Sequence, residues 1–136
     1  MPHLVVEYSA NLDGRIEMSE LLRVAHAAAA SVGPFPLGGI RTRLVRRDTY
    51  MIADGHADNG FVHLTLTIGA GRDLATKRAA GDVIFAAVAD FLQPAMQSSP
   101  VALSFYLFET DPNLSWKRST VHDAVARRAT DRGDAK

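Results

Sequence analysis

The opening MPHLVVEYS sets a proline directly behind the initiator methionine and ahead of an alternating apolar run. A small second residue permits methionine trimming, and Pro2 then carries a secondary amine at the head of the fold, able to act as base or nucleophile. Left acylated, it merely starts a strand where its missing N–H costs nothing. Three cationic features accompany it: the arginines of GIRTR (Arg41 and Arg43), the pair Arg46-Arg47, and Arg72 of GAGRD. A guanidinium stays charged and offers a planar fork of donors, so it clamps carboxylates and stabilises developing negative charge but does not move protons. GAGRD is a glycine-rich turn ahead of a helix. Such a turn either aims free backbone N–H groups and a positive dipole end at an anion, with Arg72 beside them, or simply joins strand to helix. It has neither the length nor the lysine of a P-loop. Arg46-Arg47 reads as a solvated strand end.

Other chemistries find little support. The five histidines, His3, His26, His56, His63 and His122, have no i, i+4 helical pairing and no carboxylates at ligand spacing, so no metal centre is expected. There is no cysteine and no Gly-x-Ser-x-Gly elbow, which removes the thiolate and the usual serine nucleophile. Fifteen basic residues balance fifteen acidic ones, so neither nucleic acid nor an anionic membrane is suggested as partner. No apolar run approaches a membrane span, no leader-like segment opens the chain, and cysteine is absent, which together point to a cytoplasmic protein.

At 136 residues, one domain must position these groups. Leu4, Val6 and Tyr8 share one face of a strand over His3 to Ser9. Met18, Leu21, Leu22, Ala25, Ala28, Ala29 and Val32 recur at helical spacing until Gly33-Pro34. GGIRTRLVRRDTYMIADG follows as one long or broken strand. Phe61 to Ile68 alternates again, Asp73 is placed to cap a helix from about Leu74 to Met96, and Val101, Leu103, Phe105 and Leu107 mark a fourth strand. The order β-α-β, twice over, predicts an α/β (α+β) fold with one four-stranded sheet and both helices on a single face. The other face is expected to be too apolar to stay wet and so to be covered by further subunits, as a ring. Leu114, Trp116 and Val121 form an apolar set suited to strapping a neighbour, and TDRGDAK is expected to be frayed.

The segments PHLVVEYSANL, FPLGGIRTR, ADG with FVHLTLTIGAGR, and ALSF followed by LSWK and VH together resemble the 5-carboxymethyl-2-hydroxymuconate isomerase family of the tautomerase superfamily. The likeness covers residues 2–122 as one isomerase domain and leaves 123–136 as an extension. Tyr106, Phe108 and RSTVH depart from the usual pattern. The resemblance implies a homotrimer of tandem β-α-β repeats, no cofactor, and a small polycarboxylate dienol as substrate, met in aromatic catabolism on the 4-hydroxyphenylacetate/homoprotocatechuate route. It assigns Pro2 as general base and acid, with Arg41 and Arg72 as catalytic and substrate-binding arginines. Two alternatives stay open at this point: a tautomerase acting on another enol of a 2-oxo acid, and a trimeric binding protein whose site is lost.

Overall fold

The computed structural model describes residues 1–133. Strand β1 (His3–Ser9) leads through helix α1 (Met18–Ser31) to β2 (Arg41–Arg47), and β3 (Gly60–Gly69) leads through α2 (Leu74–Ser98) to β4 (Val101–Thr110). Helix α3 (Val121–Asp131) follows, and single 3-10 turns stand at Ala10–Leu12, Leu37–Gly39 and Pro112–Leu114. The strands lie in the order β2-β1-β3-β4. Each β-α-β unit is internally parallel, and the two meet antiparallel at the β1–β3 seam.

One face of this sheet is the core face. Leu4, Val6, Val62, Leu64 and Leu66 are fully buried, under Leu21, Ala25 and Ala29 of α1 and Ile84, Val88 and Leu92 of α2. Each such aliphatic side chain contributes about 1.5–3 kcal/mol on leaving water. The small alanines let α1 lie close to α2 and to the sheet. The buried stripe of α2 runs through Ala80, Ile84, Val88, Leu92 and Ala95, while Phe85, expected on that stripe, is 40% exposed. The expectation that no apolar run approaches a membrane span needs correction: by length and composition alone α2 is long and apolar enough to cross one, and its buried stripe lies in the same core cluster as the sheet. Asp73 caps it, accepting from Thr76 N–H.

Three further expectations need correction. The second strand stops at Arg47 rather than running to Gly55, because Arg46 pairs with Asp13 and Asp48 and Arg47 with Glu7, which fixes the strand end. The loop beyond is held from the β1–α1 side: Asn11 Nδ2 donates to the carbonyls of Ala57 (3.1 Å) and Asn59 (2.7 Å), and Arg15 to that of Asp58 (2.7 Å). Second, the uncovered sheet face is mixed rather than apolar. Cross-strand rows there read Arg41–His3–Thr67–Phe108, Arg43–Val5–Thr65–Tyr106 and Val45–Glu7–His63–Ser104. Only its β4 edge is strongly apolar, with Tyr106 and Phe108 58% and 52% exposed. Third, the extension from residue 123 is not frayed over its described part. Residues 121–131 form α3, which packs on the Leu37–Gly39 turn of its own chain, so the break at residue 122 falls inside a helix. Residues 134–136 of TDRGDAK lie outside the described residues.

Ser9 is fully buried where β1 ends. Its Oγ donates to Asn11 Oδ1 (2.7 Å) and accepts from Phe61 N–H (2.9 Å), tying the first turn to the start of β3. Ser9→Ala orphans that N–H and is expected to cost about 1–3 kcal/mol. Denaturant unfolding with an unchanged m-value is the check; a loss under about 0.5 kcal/mol would show that the N–H finds another acceptor.

Candidate active site

Pro2 is buried immediately before β1. Its carbonyl accepts from Arg41 N–H at 2.9 Å, and the parallel register pairs His3 with Arg41, so the start of β2 is locked beside the start of the chain. The Leu37–Gly39 turn supplies the floor. A Cβ at Gly39 would come to 3.5 Å from Pro2 Cδ. At Gly38 it would meet His122, 2.7 Å from Nδ1 and 2.9 Å from Cα. The second of these contacts is with backbone and cannot be relieved by a side-chain swing. Gly38→Ala is therefore expected to displace α3 at a cost of about 1–3 kcal/mol, typical of overpacking. Hydrogen exchange should show protection lost across residues 121–131 and kept in β1 and β3. Retained protection in α3 would mean that the turn yields instead.

Arg41 projects from the uncovered sheet face at this end, with Nη1 donating to the Gly39 carbonyl at 2.8 Å. Arg72 reaches back from the β3–α2 turn, where Gly71 takes the left-handed φ of 119° that glycine tolerates. Its guanidinium donates to the carbonyls of Pro34 (2.7 Å) and Gly69 (3.3 Å) and lies 5.4 Å over the Phe35 ring. Two of its five donors are thus anchored, which sets its orientation. The helix N-terminus beside Arg72 is capped as expected, Asp73 accepting the Thr76 N–H, so one of its donors is already taken by a carboxylate of the same turn. Arg46 and Arg47 are absorbed in ion pairs with Asp13, Asp48 and Glu7, as solvated strand-end residues are.

A cavity of about 290 Å³ opens between the N-terminus and the segment that follows β4. Met1, His3, Arg41, Thr67, Gly69 and Thr110 form its sheet side, and Ser115, Trp116, Lys117 and Arg118 close over it. With Met1 in place, the terminal amine is held below its ordinary 8.0, first by burial and then by the charges of Lys117, Arg72 and Arg41. Of the three residues expected in the site, only Arg41 lines this cavity; Pro2 is buried behind Met1, and Arg72 acts on the Met1 amine from outside the lining. His3, 3.0 Å from an Arg43 guanidinium nitrogen through Nδ1, is likewise held below 6.5 by burial, Arg43 and Arg41. It is therefore neutral at pH 7, accepting on Nδ1 and protonated on Nε2. The remaining histidines in the sheet and α1 make ordinary hydrogen bonds, His26 to Thr42 (2.8 Å) and His63 to Ser104 (2.6 Å). Two other depressions, about 340 Å³ between α2 and β4 and about 820 Å³ between α1 and β2, do not include the N-terminus.

Lys117, Arg118 and Trp116 were not singled out as site residues from the sequence. The signal lay in LSWKR, two basic residues behind a tryptophan just past β4, but nothing local says that this segment returns to residue 1. Within one chain this segment closes over its own N-terminus, while Leu114, Trp116 and Val121 keep 69%, 84% and 46% of their surface exposed.

The family model described as 5-carboxymethyl-2-hydroxymuconate isomerase matches residues 2–125. The chain belongs to that family. A 5-carboxymethyl-2-hydroxymuconate Delta-isomerase of Escherichia coli is 39% identical over 122 residues, 90% of this chain and 97% of that protein. The solved 5-carboxymethyl-2-hydroxymuconate isomerase of Deinococcus radiodurans R1 superposes with a TM-score of 0.84 at 35% identity, covering 91% of this chain and 93% of that one. A fused 4-OT symmetric trimer, at 18% identity and a TM-score of 0.63 over 90% of this chain and 98% of that one, shares the fold. This 5-carboxymethyl-2-hydroxymuconate isomerase family member is therefore an isomerase, and its four-stranded α+β fold is the one shared with the fused 4-OT trimer.

Proposed function

We propose that the chain converts 5-carboxymethyl-2-hydroxymuconate, a dienol, into its 2-oxo isomer, with Pro2 as base and then acid. The observation that supports the reading is the environment of the N-terminus: the Met1 amine lies in a cavity with Arg41 and Lys117 and is held below its ordinary pKa by burial and cations, and Pro2 stands next to it. A neutral secondary amine at Pro2 takes the proton of the C2 hydroxyl. The freed electron pair becomes the C2 carbonyl, the C2=C3 double bond moves to C3=C4, and C5 collects the proton that Pro2 returns. One proton leaves oxygen, one arrives at carbon, and no redox change occurs, so the reaction calls for no cofactor. Arg41 and Arg72 hold carboxylates and the enolate charge that develops between the two transfers.

The same reading takes the mature chain to begin at Pro2, to work in the cytoplasm within aromatic catabolism, and to assemble as a homotrimer. Trimerisation would cover the β4 edge around Tyr106 and Phe108 and exclude water from the amine. The test is a side-by-side assay of 5-carboxymethyl-2-hydroxymuconate and phenylenolpyruvate. Faster turnover of the muconate is expected; preference for phenylenolpyruvate assigns a different tautomerase activity, and silence toward both removes the isomerase chemistry proposed. Intact mass shows whether Met1 is gone, and sedimentation gives the subunit number.

A further inference from the structure

Muconate is a six-carbon diene with a carboxylate at each end, and the 5-carboxymethyl arm adds a third. Arg41 and Arg72 answer two of the three charges. The cavity offers a further cation. Lys117 stands across from the sheet, its Nζ 3.6 Å from where a side-chain carbon on Gly69 would lie, in a lining that contains no Asp or Glu. The nearby acids are committed elsewhere: Glu109 to Lys77 Nζ (2.9 Å), Asp111 to the backbone N–H (2.9 Å) and side chain (3.2 Å) of Asn113, and Asp73 to Thr76. Among the described residues Lys117 pairs with no carboxylate. The cavity thus holds Arg41, Lys117 and Arg118 without compensation, and an unbalanced cationic cleft of this kind concentrates anions.

Resting on the function proposed above, we infer that Lys117 binds the carboxymethyl carboxylate of the substrate and is the residue that selects a tricarboxylate dienol over a dicarboxylate one. The pairing follows from stiffness. The two muconate carboxylates are conjugated ends of a rigid diene and suit the planar forks of anchored arginines, whereas the carboxymethyl group turns about a single CH₂ and suits a point charge on a flexible stem. Position agrees, since Lys117 arrives on the segment roofing the cavity while Arg41 rises from the sheet below. Lys117 and Met1 line the same cavity, which places the arm near the carbon that Pro2 must protonate, and that carbon is C5, the one bearing the arm.

The experiment uses the full chain with Lys117→Met, which keeps the stem and removes the charge, and Lys117→Arg, which keeps the charge. kcat/KM is measured on 5-carboxymethyl-2-hydroxymuconate and on 2-hydroxymuconate, which lacks the arm. Effects on folding or on the amine strike both substrates alike and cancel in the ratio. Lys117→Met should lower that ratio about 10- to 100-fold, the range for a hydrogen bond to a charged group, through KM on the tricarboxylate, and Lys117→Arg should restore most of it. An unchanged ratio overturns the inference, whether activity is lost equally on both substrates or on neither. A binding arm does not depend on turnover: calorimetry with propane-1,2,3-tricarboxylate and with glutarate should show Lys117→Met weakening only the first, and equal weakening or none overturns it. Wild-type protein that turns over neither dienol refutes the proposed function, while this binding arm still decides the role of Lys117.

Discussion

Pro2→Ala is expected to lower kcat by about 10² or more, toward the 10⁴ that general acid-base catalysis can supply, with KM changed far less. Alanine at this position still permits methionine removal and still offers an amine. What it lacks is the ring that packs beside Gly39 and aims the nitrogen lone pair, and the basicity of a secondary amine. The pH profile adds an independent reading. Protonation destroys the base, so kcat/KM should rise with pH through the amine's pKa, at a midpoint below that of a free prolyl amine, because the burial and the Lys117, Arg72 and Arg41 charges that lower the Met1 amine also surround the nitrogen one residue on. A Pro2→Ala enzyme with unaltered kcat, or fully active protein that retains Met1, would refute the proline mechanism outright.

Arg41→Ala and Arg72→Ala should each forfeit about 2–4 kcal/mol of transition-state stabilisation, a loss of roughly 30- to 1,000-fold in kcat/KM, but in different parameters. Arg41, rising beside the N-terminus with one anchor on Gly39, is expected to act on the developing enolate and to appear in kcat. Arg72 is held by two carbonyls and the Phe35 ring, and should grip a carboxylate equally in ground and transition states, appearing in KM. Those same contacts join the α1–β2 loop to the β3–α2 turn, so Arg72→Ala should also lower Tm, and its kinetics belong well below that temperature. The opposite split would exchange the two roles. Unaltered kinetics in both variants would put neither guanidinium in the site.

Wherever a local period governs, the fold was legible. Leu4-Val6-Tyr8 and Val62-Leu64-Leu66-Ile68 announce half-buried strands, and Asp73 ahead of Leu74 announces the start of α2, because each signal lies within a few residues of what it determines. β2 was overextended because the ion pairs that end it come from Asp13 and Glu7, more than thirty residues away. α3 was missed for a related reason: VHDAVARR buries no residue fully, and its main support is the fit of His122 over Gly38, a pairing of two small features 84 positions apart. Of the candidate site, Pro2, Arg41 and Arg72 could be nominated from their motifs, but not that Arg72 is tied to Pro34, nor that Lys117 returns to the cavity beside Met1. Both facts are tertiary. The uncovered face is less apolar than expected because its cross-strand rows set Val5 between Arg43 and Thr65, and Val45 beside Glu7, a pairing that no local period reveals.

The seat of α3 on the Leu37–Gly39 turn has a consequence for how the protein comes into being. The sheet needs residues up to 110, yet the cavity gains its roof only with residues 115–118, and the Gly38 socket is filled only by His122. During synthesis, at about 5–20 residues per second, the strands can pair while the N-terminal amine still lies open at the sheet's end. Methionine excision can therefore act on an accessible terminus, and the closing segment reaches that terminus only after most of the fold exists. In chain order the scaffold thus comes before its roof, and the N-terminus is enclosed last.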